Sequence, residues 1–416
     1  MSEKESFDLL ILGAGPAGLA AGIYGARSQL RVGIIDKGTP GGQIATTSEI
    51  ENYPGFAQGT TGPEVVMALY NHAEQMGAKF IQDEIVTLEL NGKSKQLIGK
   101  TGQYNAEAVI VAPGAEPRLL GAPGELELRG KGVSYCATCD AGFFKGMHVM
   151  VVGSGDAAIE EAIYLTQFAS KVTVIVLHDE GKVDANAAAL ARAKANQKIN
   201  WIWNTVVEKI NGQKKVESVT LRDLNTGQTR DDLANGIFIL IGTVPKTELL
   251  KGIIQMDPKG YIVTDERMKT SIEGVYACGD ARIKYLRQVV TAVSDGAVAA
   301  VAAGRFLDET RSFEQQVLAE DQQAVVVGYY HPENQYSLKV LGEVDRFVEE
   351  HRNMVKLVRI DASRNNLLTQ RYNINFLPTI QVFRKGHLEN IYSETINYEE
   401  LEKTITAPVA DTLAAK

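Results

Sequence analysis

Phe7-Asp8-Leu9-Leu10-Ile11-Leu12-Gly13-Ala14-Gly15-Pro16-Ala17-Gly18 carries an apolar run into glycines spaced Gly-x-Gly-x-x-Gly, and the helix-compatible stretch Leu19 to Arg27 follows. A second apolar run, Leu30 to Ile35, ends on Asp36, 21 residues beyond Gly15. The order predicts strand, glycine turn, helix, strand. Gly13 permits the tight turn, Gly15 lets a pyrophosphate approach the backbone, and Gly18 lets helix and strand pack closely. The helix N-terminus adds amide donors and a favourable dipole. An acid at the end of the second strand can accept hydrogen bonds from a ribose. Alone, the three glycines would be weak evidence; with strand, helix and acid in register they predict a dinucleotide-binding α/β fold.

The pattern recurs. Met147 to Val152 reads as a strand, Gly153-Ser154-Gly155-Asp156-Ala157-Ala158 as a turn, Ile159 to Phe168 as a helix, and Val172 to Leu177 as a second strand. Gly153, Gly155 and Ala158 are the small residues that a close phosphate and a tight helix–strand contact demand. Two such folds suggest two dinucleotides, unless the second is a duplicate that binds nothing. Val109 to Ala115, with Gly114 in its turn, and Gly274 to Asp280 are further strands running into glycine turns; the second ends on the carboxylate of Asp280.

The chain has 416 residues, too many for one compact core and suited to two or three domains. Hydrophobic residues make up 44% and charged residues 23%, which excludes a disordered or fibrous chain for most of its length. A net charge of −8 and no basic run leave nothing to attract nucleic acid or an anionic membrane. Met1 to Asp8 is charged and polar and no apolar segment reads as long enough to span a bilayer, so a cytoplasmic protein is expected.

Three cysteines exclude a disulfide framework and leave one close pair, Cys136 and Cys139. Two thiols without a His cluster cannot complete a structural zinc site, so no metal is expected. Cys-x-x-Cys spacing closes a small disulfide ring and can lower a thiol pKa enough to give a nucleophile near neutral pH. Asp140 beside it offers a proton to a leaving thiolate as a general acid, or is a helix-capping or solvated aspartate. Cys278, alone in an apolar strand, reads as a small buried hydrophobe.

Together these motifs resemble the low-molecular-weight thioredoxin reductases, two-domain pyridine nucleotide-disulfide oxidoreductases. The similarity runs over about residues 7 to 310. It rests on both glycine fingerprints, Gly41-Gly42-Gln43, Glu51-Asn52-Tyr53-Pro54-Gly55, Cys136-Ala137-Thr138-Cys139-Asp140, Gly274 to Asp280 and Arg287-Gln288. The resemblance implies an FAD domain split in sequence, residues 1–115 and 248–310, around an inserted NAD(P)-type domain at 116–247. Around FAD it sets Gly13, Gly15, Gly18, Asp36, Gly42, Gln43, Asn52, Gly114, Asp280, Arg287 and Gln288. It implies that Cys139 faces the flavin, that Cys136 attacks the substrate disulfide, and that the protein is a homodimer whose partner is a thioredoxin or glutaredoxin-like protein.

The sequence departs from that family where its NADPH-using members carry arginines for the 2′-phosphate. Here the chain reads Val176-Leu177-His178-Asp179-Glu180-Gly181-Lys182. Two carboxylates repel a phosphate, and one histidine cannot replace two guanidinium groups, so NADPH is disfavoured against NADH. Val176, 21 residues beyond Gly155, cannot accept a ribose hydrogen bond; Asp179 or Glu180 would have to reach instead. The competing reading is that this fold has given up nicotinamide and a ferredoxin, a flavodoxin or a second flavin reduces the protein.

Beyond residue 310, Asp308 to Gln323 reads as a linker or connecting helix, with 311–320 as the linker. A new α/β unit at 321–407 and a tail at 408–416 follow. Strands at Ala324–Val327, Val355–Ile360 and Ile380–Phe383, helices at Ser337–His351 and Asn366–Tyr372, and Phe376-Leu377-Pro378-Thr379 resemble a thioredoxin fold, with Pro378 as its cis-proline. Where thioredoxins carry Trp-Cys-Gly-Pro-Cys, the aligned turn is Glu333-Asn334-Gln335-Tyr336-Ser337, and no cysteine follows Cys278. The unit cannot shuttle electrons itself; it docks a partner, regulates or forms a dimer, or is a relic. The function expected is transfer of two electrons through FAD and Cys136/Cys139 to a protein disulfide. The alternatives are a flavoprotein that feeds a peroxidase partner, a quinone or oxygen, and a scaffold in which flavin serves only structure.

Overall fold

The computed structural model describes residues 4–47, 49–57, 59–319, 323–393 and 395–407. The chain divides into two compact units at Ala302/Ala303.

The first unit opens with β1 (Lys4–Leu12), α1 (Pro16–Arg27), β2 (Val32–Asp36), α2 (Gly62–Gln75), β3 (Lys79–Gln82), β4 (Ile85–Glu89), β5 (Lys95–Gly99) and β6 (Gln103–Val111). Leu9, Leu10 and Ile11 are fully buried, as befits a strand covered on both faces. The chain then leaves through the short β7 (Ala115–Pro117) into an inserted fold. That fold comprises β8 (Val133–Ser134), α3 (Ala137–Asp140), β9 (His148–Val152), α4 (Asp156–Leu165), β10 (Lys171–Ile175), α5 (Ala187–Ala195) and β11 (Ile199–Ile202). It continues with β12 (Thr205–Asn211), β13 (Ser218–Asp223), β14 (Thr229–Leu233) and β15 (Gly236–Ile239). The return is through β16 (Thr243–Pro245), antiparallel to β7, then β17 (Val275–Ala277) and α6 (Val289–Phe313).

The sheets bear out the two-fold reading. The first has the order β3-β2-β1-β6-β5-β4, and β17 joins the far half of β6, parallel to it, so the returning chain completes the sheet that the first 115 residues began. The inserted fold has a five-stranded parallel sheet, β11-β10-β9-β15-β8, beside the antiparallel β12-β13-β14. Each of these sheets sets a glycine turn at the carboxyl end of a parallel strand, β1 in the first and β9 in the second.

In the second unit, β18 (Ala324–Tyr330), α7 (Gln335–Glu350), β19 (Val355–Asp361), α8 (Asn366–Arg371), β20 (Thr379–Arg384), β21 (His387–Ser393) and α9 (Tyr398–Thr406) build a mixed sheet, β19-β18-β20-β21. The Leu377–Pro378 peptide is cis, as the thioredoxin resemblance implied. Residues 311–318, within the stretch read as linker, are helical: α6 ends at Phe313 and a π-helical turn covers Glu314–Leu318. Phe313 and Val317 are buried in this unit's core with Val325, Tyr329 and Phe383. The tail at 408–416 lies outside the described residues.

One expectation needs correction. The helical run Val289–Leu318 is, by length and composition, apolar enough to cross a membrane. Its Ala292, Asp295, Ala299 and Ala300 are buried, and Asp295 is ion-paired with Arg282 and Lys284 at 2.9 and 2.7 Å, so in the first unit the small apolar residues serve packing.

Candidate active site

Cys136 is the N-cap of the one-turn helix α3, and its sulfur is bonded to that of Cys139. Asp140 stands at the N-cap of the 3-10 turn Ala141–Phe144, but its side chain makes no capping hydrogen bond. Its carboxyl lies 2.6 Å from Ser134 Oγ, which also accepts a hydrogen bond from Cys136 N at 3.1 Å. Burial raises the Asp140 carboxyl above the ordinary aspartate range, and the Ser134 bond only partly opposes this. A carboxyl raised in this way holds its proton to higher pH than a solvated one, and next to a disulfide it can supply that proton when a sulfur leaves.

Gln288, assigned to flavin by resemblance, reaches the disulfide, and Asn52, assigned likewise, is linked to it through Gln288. Gln288 Nε2 stands 3.5 Å from Cys136 Sγ, 3.6 Å from Cys139 Sγ and 3.1 Å from Thr138 Oγ1, while its Oε1 accepts from Asn52 Nδ2 at 3.1 Å. The sequence reading missed Ser134 and Glu161. Glu161 Oε2 accepts from Ala137 N, between the two cysteines, at 2.7 Å. A signal for it existed: α4 buries Ala158 and Leu165, and Glu161, three residues from one and four from the other, puts an acid on the core-facing stripe.

The first glycine turn has the geometry its spacing demands. Gly13 has φ +111°, and a Cβ on it would lie 2.3 Å from Ala112 O; one on Gly18 would lie 1.8 Å from Gly13 O. A Cβ on Gly15, the N-cap of α1, would meet nothing within 4 Å, so that face is open to a phosphate. Asp36 binds the turn itself, accepting from Ala14 N at 2.7 Å and Gly38 N at 2.9 Å. Gly42 faces Gly15 Cα, Gly114 is open, and Gln43 Nε2 donates to Ala115 O. Asp280, in the 3-10 turn Gly279–Ala281 that follows β17, has a buried Oδ1 with no hydrogen-bond partner and a carboxyl raised by burial. Arg287 stacks on Tyr261, 4.2 Å from the ring centroid, and Nε donates to Asp280 O at 3.2 Å.

The second turn repeats this geometry: Gly153 has φ +141°, Gly155 is open, and Ala158 is fully buried. A following loop is stitched across it. Asp184 N and Ala185 N donate to Ser154 O, Ser154 Oγ donates to Asp184 Oδ2 at 2.6 Å, and Asp156 Oδ1 accepts from Asn186 N and Nδ2, both at 2.7 Å. His178 Nε2 lies 3.2 Å from the same Asp184 oxygen, and Asp179 pairs with Lys182. A phosphate here would face the carboxylates of Asp156 and Asp184. Cys278 is fully buried and its thiol pushed far up by desolvation, which matches a packing role.

In the second unit, Asn334 caps α7 by accepting from Ser337 N at 3.0 Å, and Ser337 Oγ lies 3.1 Å from His331 O. The two positions aligned with the cysteines of thioredoxin therefore hold a helix cap. No group of three or more His, Cys, Asp or Glu side chains suited to a metal occurs among the described residues.

Residues 7–296 match the profile of the pyridine nucleotide-disulphide oxidoreductases, and residues 306–407 that of thioredoxin. The chain is 48% identical over 308 residues to the thioredoxin reductase of Peptoclostridium acidaminophilum, covering 73% of this chain and 97% of that protein. It is 44% identical over 312 residues to the thioredoxin reductase of Bacillus subtilis, covering 74% and 97%. Among solved structures, the thioredoxin reductase of Streptococcus pyogenes aligns with a TM-score of 0.70 at 44% identity, over 74% of this chain and 99% of that one. The one from Giardia duodenalis aligns at 0.69 and 35% identity, over 73% and 99%.

Proposed function

Since the chain belongs to the pyridine nucleotide-disulphide oxidoreductases and among them to the thioredoxin reductases, we propose that it passes two electrons through FAD and Cys136/Cys139 to the disulfide of a separate thioredoxin or glutaredoxin-like protein. The observation that carries this reading is the Cys136–Cys139 disulfide beside the buried Asp140 carboxyl, in contact with Gln288 of the flavin fold. FAD fits the first turn: Gly15 leaves room for its pyrophosphate, and the unpartnered Asp280 Oδ1 wants a donor such as a sugar hydroxyl. Bound there, FAD supplies the two-electron step between donor and disulfide.

The chain's own groups do the rest. Reduction breaks the Cys136–Cys139 bond, and Asp140 protonates the sulfur that departs as a thiolate. Following the family, Cys136 then attacks the partner's disulfide, breaking its S–S bond to form a mixed disulfide and releasing the partner's other sulfur as a thiolate that takes up a proton. Cys139 displaces the partner's thiol and closes the ring again. Ser134 fixes the Asp140 carboxyl, and the Asn52–Gln288 pair orients the disulfide.

For the donor we favour NADH over NADPH, because Asp179 and Glu180 stand where a 2′-phosphate needs arginines. The stitching of Asp184 and Asn186 to the second turn favours a second reading, in which that turn holds no nucleotide and a ferredoxin, a flavodoxin or another flavin is the donor. Anaerobic addition of NADH, NADPH and reduced ferredoxin in turn, followed by the visible flavin spectrum, decides. Bleaching by NADH is expected; bleaching by ferredoxin alone establishes the second reading, and fast bleaching by NADPH overturns the preference.

A homodimer and a cytoplasmic setting belong to the same proposal. The exposed Ile283, Tyr285, Leu286, Val290, Val298 and Val301 supply apolar surface for a second copy. The cysteine-free unit is proposed to dock the protein partner.

A further inference from the structure

We propose that Glu161 is a positioning residue of the dithiol site: its carboxyl anchors the N-terminus of α3, and its negative charge governs how readily the cysteine pair forms a thiolate. The inference rests on the redox role of Cys136/Cys139 given above.

The first amides of a helix have no partner within it, and a cysteine at the N-cap ordinarily draws on them to stabilise its thiolate. Here the first amide of α3, Ala137 N, is already committed to Glu161 Oε2 at 2.7 Å. The acceptor comes from another element, α4, and the bonded amide belongs to the residue that follows Cys136. Charge at that amide is therefore charge at the disulfide.

The surroundings concentrate the effect. Glu161 is half-buried beside an apolar cluster that takes Ala137 from α3, Ala141 from the turn after it, and Ala158 and Ala162 from α4, so the carboxyl is screened less than one in open water. Burial raises it above the ordinary glutamate range, and the Ala137 bond is what opposes this. The neighbouring Glu160 points elsewhere, 3.9 Å from Arg192 of α5. Other ionisable groups beside this segment are Asp140, held by Ser134; Tyr135, bonded to Glu125 with Arg129 over its ring; Glu51, near Gly142; and the two thiols once reduced. A thiolate on Cys136 and the Glu161 carboxylate then draw on the same amide, Ala137 N, and each disfavours the other. Cleavage of the S–S bond by two electrons leaves one sulfur to take the Asp140 proton and the other as thiolate. Glu161 sets how costly that second charge is.

The test uses the full-length flavoprotein, reduced anaerobically with excess dithiothreitol and desalted. Alkylation of Cys136 and Cys139 by iodoacetamide is then followed against pH by mass spectrometry. Glu161→Gln keeps an acceptor oxygen for Ala137 N and removes the charge; Glu161→Asp keeps the charge on a shorter stem. The glutamine variant should alkylate about tenfold faster than the parent at pH 7, its profile displaced to lower pH, with the aspartate variant near the parent. Superposable profiles for parent and glutamine variant, or an aspartate variant that shifts as far as the glutamine one, overturn the proposal. Because alkylation needs neither donor nor protein substrate, the outcome is independent of whether the parent turns over thioredoxin.

Discussion

Asp140 is useful to a departing thiolate only while it holds a proton, and burial lets it hold that proton to higher pH than a solvated aspartate does. The sign follows: the neutral form is favoured in the folded protein, so its contribution is intact at low pH and is lost as pH rises through the raised pKa. Asp140→Asn removes the acid but keeps the shape. Turnover of a disulfide substrate should fall about a hundredfold or more, and the alkaline decline attributable to this group should vanish from the pH–rate profile. A variant that retains parental turnover at neutral pH would falsify the assignment. At Asp280 the expectation concerns binding. Asp280→Ala deletes the buried acceptor in the turn that follows β17, and flavin affinity, read by equilibrium dialysis, should weaken about tenfold or more.

The glycine turns let two substitutions of one atom each be told apart. A methyl on Gly15 enters open space at a backbone φ of −74°, so Gly15→Ala should fold normally and lose flavin about tenfold. A methyl on Gly18 would overlap Gly13 O at 1.8 Å, so Gly18→Ala should lower the thermal midpoint even without flavin, by about 3 kcal/mol of stability. Equal melting of the two flavin-free variants would contradict this division of labour. These turns were legible because strand, glycine spacing and helix are local in sequence. So were Cys136, Cys139 and Asp140, which lie within five residues. Glu161, 24 residues from Ala137, and Gln288, 149 from Cys139, were not legible as neighbours of the dithiol, because tertiary packing alone brings them there. The stitching of Asp184 and Asn186 across the second turn was hidden for a related reason: Ser154 and Asp156 look like turn residues until the loop that claims their hydrogen bonds is placed.

Across the whole molecule, flavin and dithiol motifs lie before residue 302 and the thioredoxin-like unit brings no thiol, so the two should separate. The cut matters. Phe313 and Val317 belong to the core of the second unit, and a truncation at 320 would strand them in water. Ending the chain after Ser312 should preserve flavin binding and reduction of a small aromatic disulfide, while raising KM for the protein partner. Loss of flavin from that shortened chain would mean that the second unit completes the reductase. The inserted fold invites the opposite operation. Where the chain enters it, Arg118 N donates to Gly242 O at 3.0 Å, between paired strands β7 and β16, so its two ends are one hydrogen bond apart. Residues 118–242 thus sit in the gene as a cassette: a short turn joining Pro117 to Thr243 would close the gap without stretching the sheet. Such a deletion would leave a minimal flavin binder, while the excised piece, its termini already adjacent, could be expressed, permuted or replaced as a domain in its own right.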